Sequence, residues 1–192
     1  KGVGLHINEQ AANAREGQKW IKRVVAEMGG KDAIVVADDA DLDSAASGAV
    51  AAAFGFQGQK CSACSRLIVD EKVHGELVEK VVNLTKALTV GPPEDSSTSV
   101  AAVINKRSFD TTLDYIRKGL DEGGELLAGG TGDESQGYYI QPTVIDNVAP
   151  GATIEQEEIF APVLAIITSA TFILIANVLA HSSAFILSAV ST

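Results

Sequence analysis

Residues 32–69 read DAIVVADDADLDSAASGAVAAAFGFQGQKCSACSRLIV, and this stretch decides the fold class. It opens with an Ile- and Val-rich run of strand length at 32–37. Asp38, Asp39, Asp41 and Asp43 then crowd a helix start, where carboxylates suit unsatisfied N–H groups and the positive end of the helix dipole. Residues 42–56 are Ala-rich and almost uncharged beyond Asp43, which predicts a buried helix. That helix breaks at Gly58 into a loop over 58–65, and the apolar run at 66–69 predicts the next strand. Strand, helix and strand in this order favour an α/β domain with a largely parallel sheet.

The same alternation continues outward in both directions. Upstream, Leu5, Ile7, Ala11 and Ala12 predict a short amphipathic helix stopped by Gly17, and residues 20–27 (WIKRVVAE) predict a strand cut off by Gly29-Gly30. Downstream, surface helices are expected at 73–88 and 108–122, separated by a Pro-Pro loop at 92–97. A glycine-rich segment at 123–137 reads as a turn region, before strands at 138–140 and 143–145. The end of the chain predicts a strand at 163–168, a helix at 170–180 and a strand at 184–190.

Composition narrows the function. Of 192 residues, 25 are acidic and 15 basic, and the net charge of −10 without a Lys/Arg-rich run argues against nucleic acid, whose phosphates demand a cationic face. Two cysteines cannot make a disulfide framework. All 40 charges lie at or before Glu158, so the last 34 residues (192 − 158) carry none. Even there, only 11 residues lie between Ser169 and His181, too few for a membrane span of roughly 20 apolar residues. The chain opens directly into structure without an initiator Met or a signal-like segment, which reads as a fragment.

Several local features carry more than one meaning. Cys61, in a loop between a buried helix and a strand, could react as a thiolate favoured by Lys60, or serve as a small core residue. Cys61 and Cys64 have C-x-x-C spacing, but His6, His74 and His181 are too scattered to complete a zinc site, and the pair follows a helix rather than opening one. The glycines of 129–137 are followed by no helix that could hold a phosphate, and Asp133-Glu134 would repel one. Asn83-Leu84-Thr85 fits a glycosylation triplet but falls inside a predicted helix. Glu27 before Gly29-Gly30 and Glu158 before Phe160 each read, alone, as an acid beside a turn or a core strand.

Taken together, Glu27-Met28-Gly29-Gly30-Lys31, Phe54-Gly55-Phe56-Gln57-Gly58-Gln59-Lys60-Cys61 and Gln156-Glu157-Glu158-Ile159-Phe160-Ala161-Pro162-Val163 resemble the aldehyde dehydrogenase superfamily in order and spacing. The 34-residue step from Glu27 to Cys61 is the one expected between that family's general base and nucleophile. The variants Glu-Met-Gly-Gly-Lys-Asp and Gly-Gln-Lys-Cys-Ser-Ala-Cys-Ser are most similar to the members that oxidise glutamate γ-semialdehyde in proline breakdown.

The resemblance implies a three-layer αβα catalytic domain over 20–192, continuing past residue 192, with 1–19 as the last helix of an NAD-binding domain. It implies Cys61 as nucleophile and Glu27 as the base that activates the hydrolytic water, desolvated by a partly apolar channel. Glu158 would bind the nicotinamide ribose, Phe160 would pack behind it, Gly29 would lie close to the nicotinamide, and Ser62 would anchor a substrate carboxylate. NAD would be the cofactor and a small aldehyde the substrate, in a cytoplasmic homo-oligomer with no metal and no membrane or nucleic-acid partner. The 192 residues alone would then bind NAD poorly and be inactive. Two other readings stand beside this: an aldehyde dehydrogenase for another small aldehyde such as succinate semialdehyde, and a truncated, non-catalytic domain. Four positions depart from the family pattern: Ala161 where Gly is usual after the Phe, with crowding of the turn expected, Ala101-Ala102 in place of Gly-Pro, and Thr111 where many members carry Lys.

Overall fold

A computed structural model describes residues 1–170 and the backbone of residues 187–189. Its centre is a six-stranded sheet built from β1 (Asp32–Val36), β2 (Cys64–Asp70), β3 (Glu125–Ala128), β6 (Thr143–Asp146), β7 (Val163–Ser169) and β8 (Leu187–Ala189). The strand order is β3-β6-β7-β2-β1-β8, and every neighbouring pair is parallel except β3 with β6. Two short strands, β4 (Gly132–Asp133) and β5 (Tyr139–Ile140), form a separate antiparallel pair.

Both faces of the central strands are covered, so their residues alternate between two cores. On one face Leu67, Val69, Leu164 and Ile166 pack with α2 (Leu42–Phe54) and α3 (His74–Lys86). On the other, Ile68, Ala165 and Ile167 pack with Phe109 and Ile116 of α4 (Lys106–Asp121) and Ile154 of α5 (Thr153–Gln156). The result is a three-layer αβα arrangement. The Ala-rich run of α2 explains its close approach, since Ala45, Ala46, Ala49 and Ala53 present methyl groups where larger side chains would hold the helix off the sheet. Asp41 caps it by accepting from the Ser44 N–H at 3.0 Å.

Several expectations change. The strand expected at 20–27 is absent: the segment carries no regular secondary structure, and Trp20, Ile21 and Val25 are 83%, 94% and 90% exposed. Apolar content reports a tendency to be buried, but a strand also needs a neighbouring strand to satisfy its backbone, and none of the described strands pairs with this segment. The first helix, α1, runs over Gly2–Ala12 and buries no residue. Helix α2 ends at Phe54 rather than residue 56, because Phe56 and Gln57 take left-handed backbone angles (φ +54° and +57°) in a 3₁₀ turn. Helix α4 starts earlier than expected, with Asn105 as its cap accepting from the Ser108 N–H at 2.9 Å. The glycine-rich segment hides β3 and β4, and the four-residue α5 was not anticipated. The strand expected at 163–168 is present as β7, and Leu187–Ala189 of the strand expected at 184–190 pairs with β1. The helix expected at 170–180 lies outside the described residues apart from its first position. Among the described residues no helix is long and apolar enough to cross a membrane.

Candidate active site

The three sequence motifs enter three adjacent parallel strands at their amino ends. Residues 27–31 lead into β1, the Cys61 loop leads into β2, and residues 156–162 lead into β7, and the sheet sets these strands side by side as β7-β2-β1. Segments 34 and 131 residues apart in the chain (61 − 27 and 158 − 27) are thereby brought to one edge.

They meet at Gly29-Gly30. The Gly30 N–H donates to Glu158 Oε1 at 3.2 Å. A β-carbon on Gly29 would run into Glu158 Oε2, and one on Gly30 would run into the backbone carbonyl of Cys61. Neither φ is left-handed. Close approach, not backbone conformation, therefore calls for glycine at both positions. Gly58 does need both properties: its φ is +64°, and a β-carbon there would run into the carbonyl of Ala161. Gly30, Gly58, Lys60, Ser65, Glu158 and Phe160 together line one narrow cleft.

The two cysteines separate sharply. Cys61 is exposed, in a turn closed by the Ala63 N–H donating to the Lys60 carbonyl at 3.1 Å. Cys64 is buried, its thiol donates to the Arg66 carbonyl at 3.3 Å, and burial pushes that thiol up to about 12. Cys64 is thus a protonated core residue at neutral pH, and Cys61 is the thiol that a reagent can reach.

The other predicted residues are placed as follows. Glu27 is exposed, so the partly apolar channel expected around it is not built by the described residues. Glu158 is exposed on its free side. Phe160 has φ +59° and is 44% exposed, which turns its ring out of the core. Ala161, where glycine was noted as usual, is buried without a left-handed φ, so the unusual backbone falls on Phe160 and a methyl group is accommodated at 161. Ser62 is exposed and lines a different cavity, of about 260 Å³, between β1 and α2 beside Asp32 and Ala45. The geometry therefore sets Glu158 against Gly29-Gly30 and the Cys61 backbone carbonyl against Gly30, places Phe160 in the cleft that Gly30 and Glu158 line, and leaves Ser62 facing elsewhere.

Beneath this cleft lies a charged layer that the sequence did not single out. Arg66 is fully buried; its Nη1 donates to Glu155 Oε1 at 2.8 Å and its Nη2 to the Lys31 carbonyl at 2.5 Å. The Lys31 side chain is buried too, and its ammonium has no hydrogen-bond partner among the described residues. Burial lowers the Lys31 amine to about 8, the neighbouring Arg66 guanidinium adding to the effect while Glu155 and Glu158 oppose it. On the surface, the Tyr115 hydroxyl donates to Glu157 Oε2 at 2.6 Å, and that bond is the main cause of pushing the phenol up to about 12. An arginine inside the apolar run Arg66-Leu67-Ile68-Val69 was the one visible hint of this layer.

The aldehyde dehydrogenase family matches residues 1–186. The chain belongs to that family. It is 54% identical over 172 residues to a 1-pyrroline-5-carboxylate dehydrogenase of Bacillus subtilis (strain 168), covering 90% of this chain and 33% of that protein. It is 53% identical over 165 residues to the protein of the same name from Geobacillus sp. (strain WCH70), covering 86% and 32%. Among solved structures, the 1-pyrroline-5-carboxylate dehydrogenase from Thermus with bound NAD superposes with a TM-score of 0.84 at 44% identity, over 92% of this chain and 34% of that one. An NAD-dependent aldehyde dehydrogenase from Sinorhizobium meliloti gives 0.85 at 34% identity, over 92% and 34%. The chain spans about a third of the length of the curated relatives it matches. Over the matched residues these aldehyde dehydrogenase structures share its mixed α/β architecture.

Proposed function

We propose that the full-length protein oxidises L-glutamate γ-semialdehyde, the open form of 1-pyrroline-5-carboxylate, to glutamate, with NAD as hydride acceptor. The observation that carries this is the meeting of Gly29-Gly30 with both the Cys61 loop and the Glu158 carboxylate at one edge of the sheet. The names of relatives at 54% and 53% identity support the substrate. In this reading residues 1–19 are the end of the NAD-binding domain and residues 20–192 belong to the catalytic domain.

The residues present fit the nicotinamide end of that cofactor: Gly29, lacking a β-carbon, lets the Glu158 carboxylate close against the backbone, Glu158 keeps one side open to solvent, and Phe160 turns its ring outward. Glu158 would accept hydrogen bonds from the ribose hydroxyls, the ring of Phe160 would pack behind the ribose, and Gly29 would let the backbone lie against the nicotinamide. Bound NAD would supply the acceptor for the hydride that leaves the aldehyde carbon. Cys61 adds to that carbon as a thiolate and is left as a thioester once the hydride has gone. Backbone N–H groups of the loop stabilise the oxyanion of the adduct. Glu27 takes a proton from the water that cleaves the thioester, and Cys61 is released.

The test uses full-length enzyme and follows NADH formation with glutamate γ-semialdehyde and with succinate semialdehyde. The first should be preferred, and Cys61→Ala should abolish turnover, a loss of about 10⁴-fold or more. Retained turnover by Cys61→Ala, or preference for succinate semialdehyde, would overturn the assignment.

A further inference from the structure

We infer that Arg66, with its partner Glu155, is a positioning pair that sets the Glu158 segment against the Gly29-Gly30 segment. Arg66 follows Cys61 by five residues in the chain and opens the body of β2. One arm of its guanidinium reaches the carbonyl of Lys31, the residue directly after Gly30. The other reaches Glu155, three residues before Glu158. A single rigid, planar group thus bonds to the Gly29-Gly30 segment and to the Glu158 segment while rooted just beyond the nucleophile loop.

Glu155 is held from its own side as well. Its Oε2 accepts from the Gly151 N–H at 3.2 Å and from the Gln156 side-chain amide. Both ends of the pair are 1% exposed, so water can substitute for neither. The Gly30 N–H then closes the circuit on Glu158 Oε1. Stability is a poor reason for such a pair, because desolvating two charges consumes most of what their attraction returns, and apolar side chains of similar volume often serve the fold as well. What apolar side chains cannot supply is a fixed fork with two directed donors, and a lysine could not supply it either. The pair therefore orients Glu158 towards the ribose without touching it.

This inference rests on the functional reading above, in which Glu158 binds the cofactor's ribose. In full-length enzyme, Glu155→Gln should raise the KM for NAD about tenfold, as expected when a charge-assisted contact that orients the binding group is lost. The rate at which iodoacetamide alkylates Cys61 should stay within about twofold of the parent. A merely structural role would lower the melting temperature and the fraction of active enzyme with the KM for NAD unchanged. That result, in a parent that reduces NAD, would overturn the inference and leave the functional reading standing. Should Glu155→Gln yield no folded enzyme, the double variant Arg66→Met/Glu155→Met removes both charges while keeping the volume, and the same rise in KM is expected. A parent that reduces no NAD with any aldehyde overturns the functional reading, and the inference falls with it.

Discussion

Glu158 sits in a segment fastened at four successive points, whereas the segment that delivers Glu27 is almost unfastened. Thr153 is bonded by Glu122, Glu155 by Arg66, Glu157 by Tyr115, and Glu158 by Gly30. Residues 20–27, by contrast, show a contact from the Gln18 side chain to the Trp20 carbonyl at 2.8 Å, and Trp20, Ile21 and Val25 stand in solvent. Both segments end against Gly29-Gly30, so the difference lies in what surrounds them and not in where they lead. One carboxylate is placed by its own neighbours in this chain. The other, among the described residues, has no such fastening.

The sharpest way to break this comparison is at the joint between the two segments. Lys31 carries a buried amine lowered to about 8 against an ordinary 10.5. Its cost to the folded state is full below pH 8 and fades as pH rises towards 10.5, where the unfolded chain also sheds the proton. Lys31→Met should therefore stabilise the chain at neutral pH by on the order of 3 kcal/mol. In urea melts the two proteins should converge as pH climbs from 8 to 10.5, and a gap independent of pH would contradict the account.

Gly30→Ala comes next. Its methyl group would meet a backbone carbonyl that cannot swing away, so a loss of about 1–3 kcal/mol is expected, with lower NADH formation in the full-length enzyme. Gly29→Ala should cost less stability, because the obstacle there is the end of the Glu158 side chain. Equal melting temperatures for the two variants would argue against this contrast. Tyr115→Phe removes one of the four fastenings and should cost about 1 kcal/mol, read in the same melts. Trp20→Ser, in the unfastened segment, should change stability by less than about 0.5 kcal/mol. A larger loss would mean that this segment is anchored after all.

The sequence revealed most where one local pattern sufficed. The alanines of α2, the aspartates before it and the Ile/Val runs of β1 and β2 each announced their element, because their burial pattern is written in consecutive residues. Cys61, Glu158 and Gly29 were legible through family motifs, and the structure supplies physical reasons for the glycine that composition could not. Residues 20–27 misled, since apolar side chains signal that burial is favourable without naming what does the burying. Strand β3 was hidden because glycines flank its four residues and two of those, Glu125 and Leu126, are exposed. The Arg66–Glu155 pair was beyond reach: its members lie 89 residues apart, and nothing near either one marks the other.

The motif segments all sit at the amino ends of parallel strands, and that choice of edge has an electrostatic consequence. Helices of an α/β unit start near the carboxyl ends of strands, which is why ligands with phosphates commonly settle there. At the opposite edge the chain arrives at the end of a helix: α2 points its carboxyl terminus, at Phe54, into the turn that precedes Cys61. The helix dipole is partly negative at that end, so it offers a pyrophosphate nothing. The edge suits the uncharged partners of the proposed reaction, an aldehyde carbon and a pair of sugar hydroxyls, and the phosphates of the cofactor must find their N–H donors elsewhere.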